Sequence, residues 1–105
     1  MAFGSDGSFN DVVNIDYQSG VKTVGTTEVL VAAGGSNLDD RQEVIIYNDS
    51  KAIVYLGPTG VATSGSSKGI PIEPKETLNI QVGPSISMYL IAATASNSII
   101  VQEFS

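Results

Sequence analysis

Arg41-Gln42-Glu43-Val44-Ile45-Ile46-Tyr47-Asn48-Asp49-Ser50 and, directly after it, Lys51-Ala52-Ile53-Val54-Tyr55-Leu56-Gly57-Pro58-Thr59-Gly60 decide the fold. Each half is a short run of Val, Ile, Leu and Tyr, residues that suit a pleated, half-buried strand, and neither half is long enough for a helix. Each run stops at turn chemistry. Asn48-Asp49-Ser50 supplies residues that tolerate left-handed backbone, while Gly57-Pro58-Thr59-Gly60 puts Pro second and Gly fourth, as a type I turn prefers. Both read as hairpin ends.

The same grammar extends in both directions. Val13, Ile15 and Tyr17 alternate with Asn14 and Asp16, a period of two that predicts a first strand, closed by a turn at Ser19-Gly20. Val29 to Ala33, Leu78 to Val82, Met88 to Ala92 and Ile99 to Phe104 predict further strands. Pro71 demotes Ile70 to Ile72 to an edge or irregular segment, because proline has no N–H to give a ladder. Glu73-Pro74-Lys75-Glu76 and Gly83-Pro84-Ser85 again place proline second in a turn. Ala33 to Ser36 and Ser64 to Gly69 are glycine-rich and read as mobile loops. The sum is an all-β antiparallel β-sandwich, jelly-roll or immunoglobulin-like, of about seven to nine short strands. Residues 12–105 form one such domain. Residues 1–11 read as a flexible N-terminal arm whose large apolar groups are Phe3 and Phe9.

Composition narrows function by exclusion. The 105 residues carry five basic and eleven acidic side chains, a net charge of −6. Phosphate backbones are bound by clustered Lys and Arg, so the scattered Lys22, Arg41, Lys51, Lys68 and Lys75 argue against nucleic acid as a partner. No apolar run approaches the ~18 residues of a membrane helix, and no membrane partner is expected. Met1 to Asn10 lacks the basic start and apolar centre of a signal peptide, so the expectation is synthesis in a host cytoplasm without Sec-type export. The chain has no cysteine, which leaves packing and backbone pairing to hold it together.

Cys, His and Trp are all absent, and with them go imidazole bases, thiol nucleophiles and His- or Cys-based zinc sites. The remaining option is a carboxylate pair. Asp39 and Asp40 are adjacent in a polar loop, and Glu73 and Glu76 flank Pro74, so all four belong to exposed connections and do not converge in an apolar cleft. Ser36 to Asp40 offers oxygen ligands but lacks the spaced acids and glycine of an EF-hand loop. Gly34-Gly35-Ser36 has neither the following helix nor the lysine of a phosphate loop. Asn48-Asp49-Ser50 matches a glycosylation acceptor only formally. No catalytic, cofactor-binding or metal-binding residue is assigned, and no enzyme is expected.

What remains is a surplus of apolar strand faces. Leu78, Ile80 and Val82 alternate with polar residues as a one-sided strand requires. Val44 and Ile46, by contrast, are opposed by Ile45 and Tyr47, and Val54 and Leu56 by Ile53 and Tyr55. Met88-Tyr89-Leu90-Ile91 and Ile99-Ile100-Val101 repeat the pattern. Such faces predict burial against another copy or a host surface, the alternative being enclosure within the chain as a barrel's central strand or under a folded-over loop; Tyr47, Tyr55 and Tyr89 are suited to an interface.

Read from Arg41 to Ser50, then through Val54-Tyr55-Leu56-Gly57, Gly69 to Glu76, Met88 to Ala92 and Ile99 to Glu103, the chain resembles small accessory virion proteins of tailed bacteriophages, of the capsid decoration or head-fibre type. The resemblance implies a non-enzymatic β-sandwich that works as a homo-oligomer, often a trimer, on a symmetric particle. The expected function is therefore a head-cementing protein bound to the major capsid protein on the outer capsid surface, located in the virion. A tail, neck or fibre-base protein is the alternative of the same class, and a carbohydrate-binding module the alternative of another.

Overall fold

The structure is a computed structural model and describes residues 16–105. Eight strands follow in order: β1 (Tyr17–Val24), β2 (Val29–Leu30), β3 (Glu43–Asn48), β4 (Val54–Gly57), β5 (Ile70–Ile72), β6 (Thr77–Gln81), β7 (Tyr89–Ala92) and β8 (Asn97–Phe104). They form two four-stranded antiparallel sheets, ordered β1-β8-β3-β6 and β2-β7-β4-β5. β1 pairs with β8, β2 with β7, β3 with β6 and β4 with β5. The chain is thus one long hairpin folded back at the β4–β5 connection. Rolling that hairpin brings β3 onto β8 and β4 onto β7. This is the jelly-roll, and it decides between the two sandwich types expected from sequence.

The two-residue period sets the core. In β3 Val44 and Ile46 are buried, in β4 Val54 and Leu56, in β7 Leu90 and Ala92, and in β8 Ile99 and Val101. With Val24, Val31 and Ile72 they make one cluster between the sheets, against which Leu78, Ile80 and Val82 pack as their alternation predicted. Ile70–Ile72 is an edge strand, as its proline required.

Several local expectations are corrected. Asn48-Asp49-Ser50 is not a hairpin end, because β3 and β4 belong to different sheets and the segment crosses between them. Asn48 makes that corner: its amide nitrogen donates to the carbonyls of Ala52 and Ile72, and its oxygen accepts from Ser50 N–H and Oγ. Gly57 to Gly60 does open the β4–β5 hairpin, but the turn is shifted by one. Val61 N–H donates to Pro58 O, so Pro58 is the first turn residue and Gly60, at φ +87°, takes the left-handed third position of a type II turn. The Glu73-Pro74-Lys75-Glu76 turn forms as expected, closed by Glu76 N–H to Glu73 O, with Lys75 at φ +66°.

Ser19-Gly20 is not a turn either; β1 runs straight through it. Gly20 is there for space, since a Cβ at that position would lie 2.2 Å from Ala33 O. β2 is shorter than the Val29 to Ala33 run: Ala32 N–H turns back to Leu30 O, and Ala33 N–H donates to the Glu103 carboxylate at 2.8 Å. Ser64 to Gly69 closes on itself, with Ala62 N–H on Ser67 O and Gly69 N–H on Ala62 O. The strand start at Val13 and Ile15 and the arm of residues 1–11 lie outside the described residues.

Candidate functional site

The pleat that buries one set of side chains turns the opposite set outward. On the first sheet the register aligns Val21, Ile100, Tyr47 and Thr77 in one outer row, with Ile45 in the next and Tyr17 beside Phe104 in the one beyond. Val21 is 68% exposed and Tyr17 54%, while Ile45, Tyr47, Ile100 and Phe104 are half-buried. On the second sheet the outer row is Ile91, Tyr55 and Pro71, with Tyr89 beside Gly57 in the next. The apolar surplus read from sequence is therefore not enclosed by the subunit; it forms the outer surface of both sheets.

The tyrosines are partly engaged within the chain. Lys68 Nζ lies 5.6 Å from the centre of the Tyr55 ring, a cation–π contact that covers the face a sugar would stack on. Tyr17 leans on Phe104, ring centres 4.9 Å apart.

Beneath these faces, at one end of the sandwich, lies a polar hub that sequence reading did not find. The side chains of Arg41 and Glu103 are fully buried and pair at 2.9 Å. Arg41 Nη1 also donates to Val31 O and Asn37 Oδ1, and Nη2 to Gly83 O and Ile86 O. Glu103 accepts the N–H groups of Ala33 and Leu38. One ion pair thus ties β8 to the β2–β3 and β6–β7 connections, using the guanidinium fork in a way that a lysine cannot reproduce. Arg41 Nε is the one buried side-chain atom left without a partner among the described residues. The sequence did carry a signal: Glu103 continues the inward phase of Ile99 and Val101, and an acid at that phase requires a buried cation.

The hub also accounts for the loop weighed as an oxygen-ligand site. Asn37 spends its amide on Pro84 O and its oxygen on Arg41, and Leu38 is buried, so Ser36 to Asp40 roofs the ion pair. Asp39 and Asp40 are exposed, as are Glu73 and Glu76. Two open grooves flank the loops: one of about 370 Å³ lined by Asp16, Gln18, Ser36 and Asp39, and one of about 320 Å³ lined by Thr59, Ser66, Ser67 and Lys68. Among the described residues no three His, Cys, Asp or Glu side chains converge as a metal site.

No protein-family model matches the chain, and no curated protein matches it. Among solved structures it is similar to a chain described under "Bacillus endospore appendages form a novel family of disulfide-linked pili", with a TM-score of 0.53 and 14% identity, over 86% of this chain and 83% of that one. At that identity the likeness is one of fold.

Proposed function

We propose that this chain is a structural subunit that acts by docking, with no chemistry of its own. The observation that carries the reading is the pair of apolar outer faces, Val21-Ile100-Tyr47 on one sheet and Ile91-Tyr55-Pro71 on the other, on a domain with a separate, complete core. Side chains of this size each gain ~1.5–3 kcal/mol when fully buried, so a handful offsets much of the ~4–15 kcal/mol cost of association. The fold shared with a pilus subunit supports assembly between copies.

In its more specific form the reading is a virion protein of a tailed phage, seated as a trimer on the capsid exterior, which the resemblance from Arg41 to Glu103 supports. Repeated attachment around a symmetric particle then supplies avidity that one small contact lacks. An open fibre of the same subunits is the other form, favoured by the pilus-like fold. Sedimentation of the purified chain and mass spectrometry of purified particles test these together. A trimer found at fixed stoichiometry on heads supports decoration, and filaments by electron microscopy support the fibre. A strict monomer absent from both particles and fibres rejects the proposal.

A further inference from the structure

We infer that β1 is the seam between two copies, which pair edge to edge about a twofold axis centred on Val21. The inference rests on the assembly reading and names its partner, a second copy, and its contact.

The phase of the ladder shows which backbone groups are available. Ser105 N–H donates to Asp16 O, and Gln42 N–H donates to Phe104 O. Even-numbered positions of β1 therefore face β8, and the N–H and C=O groups of Tyr17, Ser19, Val21 and Thr23 face away from it. Among the described residues no other backbone group bonds to these four.

Proteins blunt such edges with shortness, proline or charge. Both edges of the second sheet follow that rule: β2 has two residues, and β5 has three with Pro71 in the middle; in the first sheet β6, the other edge, has five residues without proline or charge, and β1 is the longer of the two. β1 has eight residues, no proline and no acid, and its one charge, Lys22, bonds back to Gly34 O. In a chain of net charge −6, this is an edge that two copies can bring together without setting acid against acid.

One antiparallel register suits it best. With Val21 opposite Val21, Ser19 meets Thr23, Gly20 meets Lys22 and Gln18 meets Val24. Ser19, Val21 and Thr23 then pair with one another through their outward N–H and C=O groups, and Tyr17 falls opposite Gly25, just past the end of the strand. Val21, at 68% the most exposed large apolar side chain described, meets its own copy. The outer row becomes continuous from Tyr47 through Ile100 and Val21 into the second copy, and two four-stranded sheets become one of eight. The alternative register, centred on Gly20, pairs Ser19 with Val21 and Tyr17 with Thr23 through the backbone, but it sets Val21 against a serine and breaks that apolar row, which is what favours the Val21 register.

The cysteine-free chain makes the test direct. Opposed residues of a hydrogen-bonded pair lie ~5.5 Å apart at Cα, inside the ~4.4–6.8 Å that a disulfide spans. Under mild oxidation Val21→Cys is expected to give covalent dimer at least tenfold above a Thr77→Cys control on the opposite edge of the same sheet. Ser19→Cys and Thr23→Cys are each expected to give no covalent dimer alone but to cross-link when mixed. Val21→Pro removes one outward N–H, and Val21→Lys sets charge against charge; both are expected to shift sedimentation to monomer while the circular dichroism and melting of the fold persist. Val21→Cys cross-linking no better than the control, or a dimer that survives both Val21→Pro and Val21→Lys, overturns the seam. If assembly continues while Val21→Cys fails to cross-link, the seam is lost and docking through the faces stands. A chain that never associates ends both.

Discussion

Two residues 62 positions apart hold one end of this molecule, and their removal is asymmetric. Glu103→Ala leaves the Arg41 guanidinium charged and dry, and a buried charge without its partner costs about 3–5 kcal/mol; urea unfolding is expected to show a loss of that size. Arg41→Met with Glu103→Leu removes both charges and is expected to cost clearly less than Glu103→Ala. Equal losses in the two variants would contradict the ion-pair account. Gly20→Ala is expected to destabilise by about 1–3 kcal/mol, since the new methyl meets a backbone carbonyl that cannot swing aside. Glu103 carried a signal in its inward phase beside Ile99 and Val101, whereas the role of Gly20 was not legible in the sequence. Gly20 beside Ser19 has the composition of a turn, and the carbonyl that requires glycine there comes from another strand's continuation. Asp39, Asp40, Glu73 and Glu76 were legible as exposed acids, because turn composition is a local property.

At the scale of elements, the apolar runs predicted the strands well, since strand formation follows from alternating burial that a window of six residues already displays. Their partners were not legible. Asn48-Asp49-Ser50 has hairpin chemistry, yet Asn48 serves a corner between sheets, satisfying carbonyls on β5 and on the approach to β4. Asn48→Ala is expected to cost about 1–3 kcal/mol, the penalty for a buried carbonyl left without its donor, with Ser50→Ala costing less; thermal melts separate the two. At the same corner Lys75 Nζ donates to Asp49 at 2.7 Å, and that bond raises the lysine pKa above its ordinary 10.5. A raised lysine pKa favours the folded state below the unfolded-chain value and loses that contribution as pH rises through the folded value. The contribution of this pair is therefore expected to be present and constant through neutral pH. Above about pH 10.5 the native chain is expected to fall more steeply with pH than Lys75→Met does, and parallel curves would exclude the effect.

The whole molecule's topology was the least legible feature, because sandwich types share strand length and turn chemistry and differ only in which distant runs meet. The doubled apolar faces, however, were visible as pattern, and the structure places them on the outside of both sheets. Ile100→Lys with Ile91→Lys, one charge on each outer face, is expected to abolish assembly while leaving the melting temperature nearly unchanged; retained assembly in sedimentation would place the contact elsewhere. Any polymer of this chain also lacks cysteine. It is expected to resist reductants and to yield to denaturant alone, whereas loss of polymer on thiol treatment would reveal a further component.

β8 lies between β1 and β3, with β1 at the sheet's edge and β3 beside β6. During synthesis the ribosome therefore releases the flanks of this sheet before its middle. Until Asn97 to Phe104 emerge, β1 has no strand to pair with, and Arg41 waits for its carboxylate. Nascent chains stalled ahead of Asn97 should remain protease-sensitive, and folding is expected to complete only once the eighth strand leaves the exit tunnel.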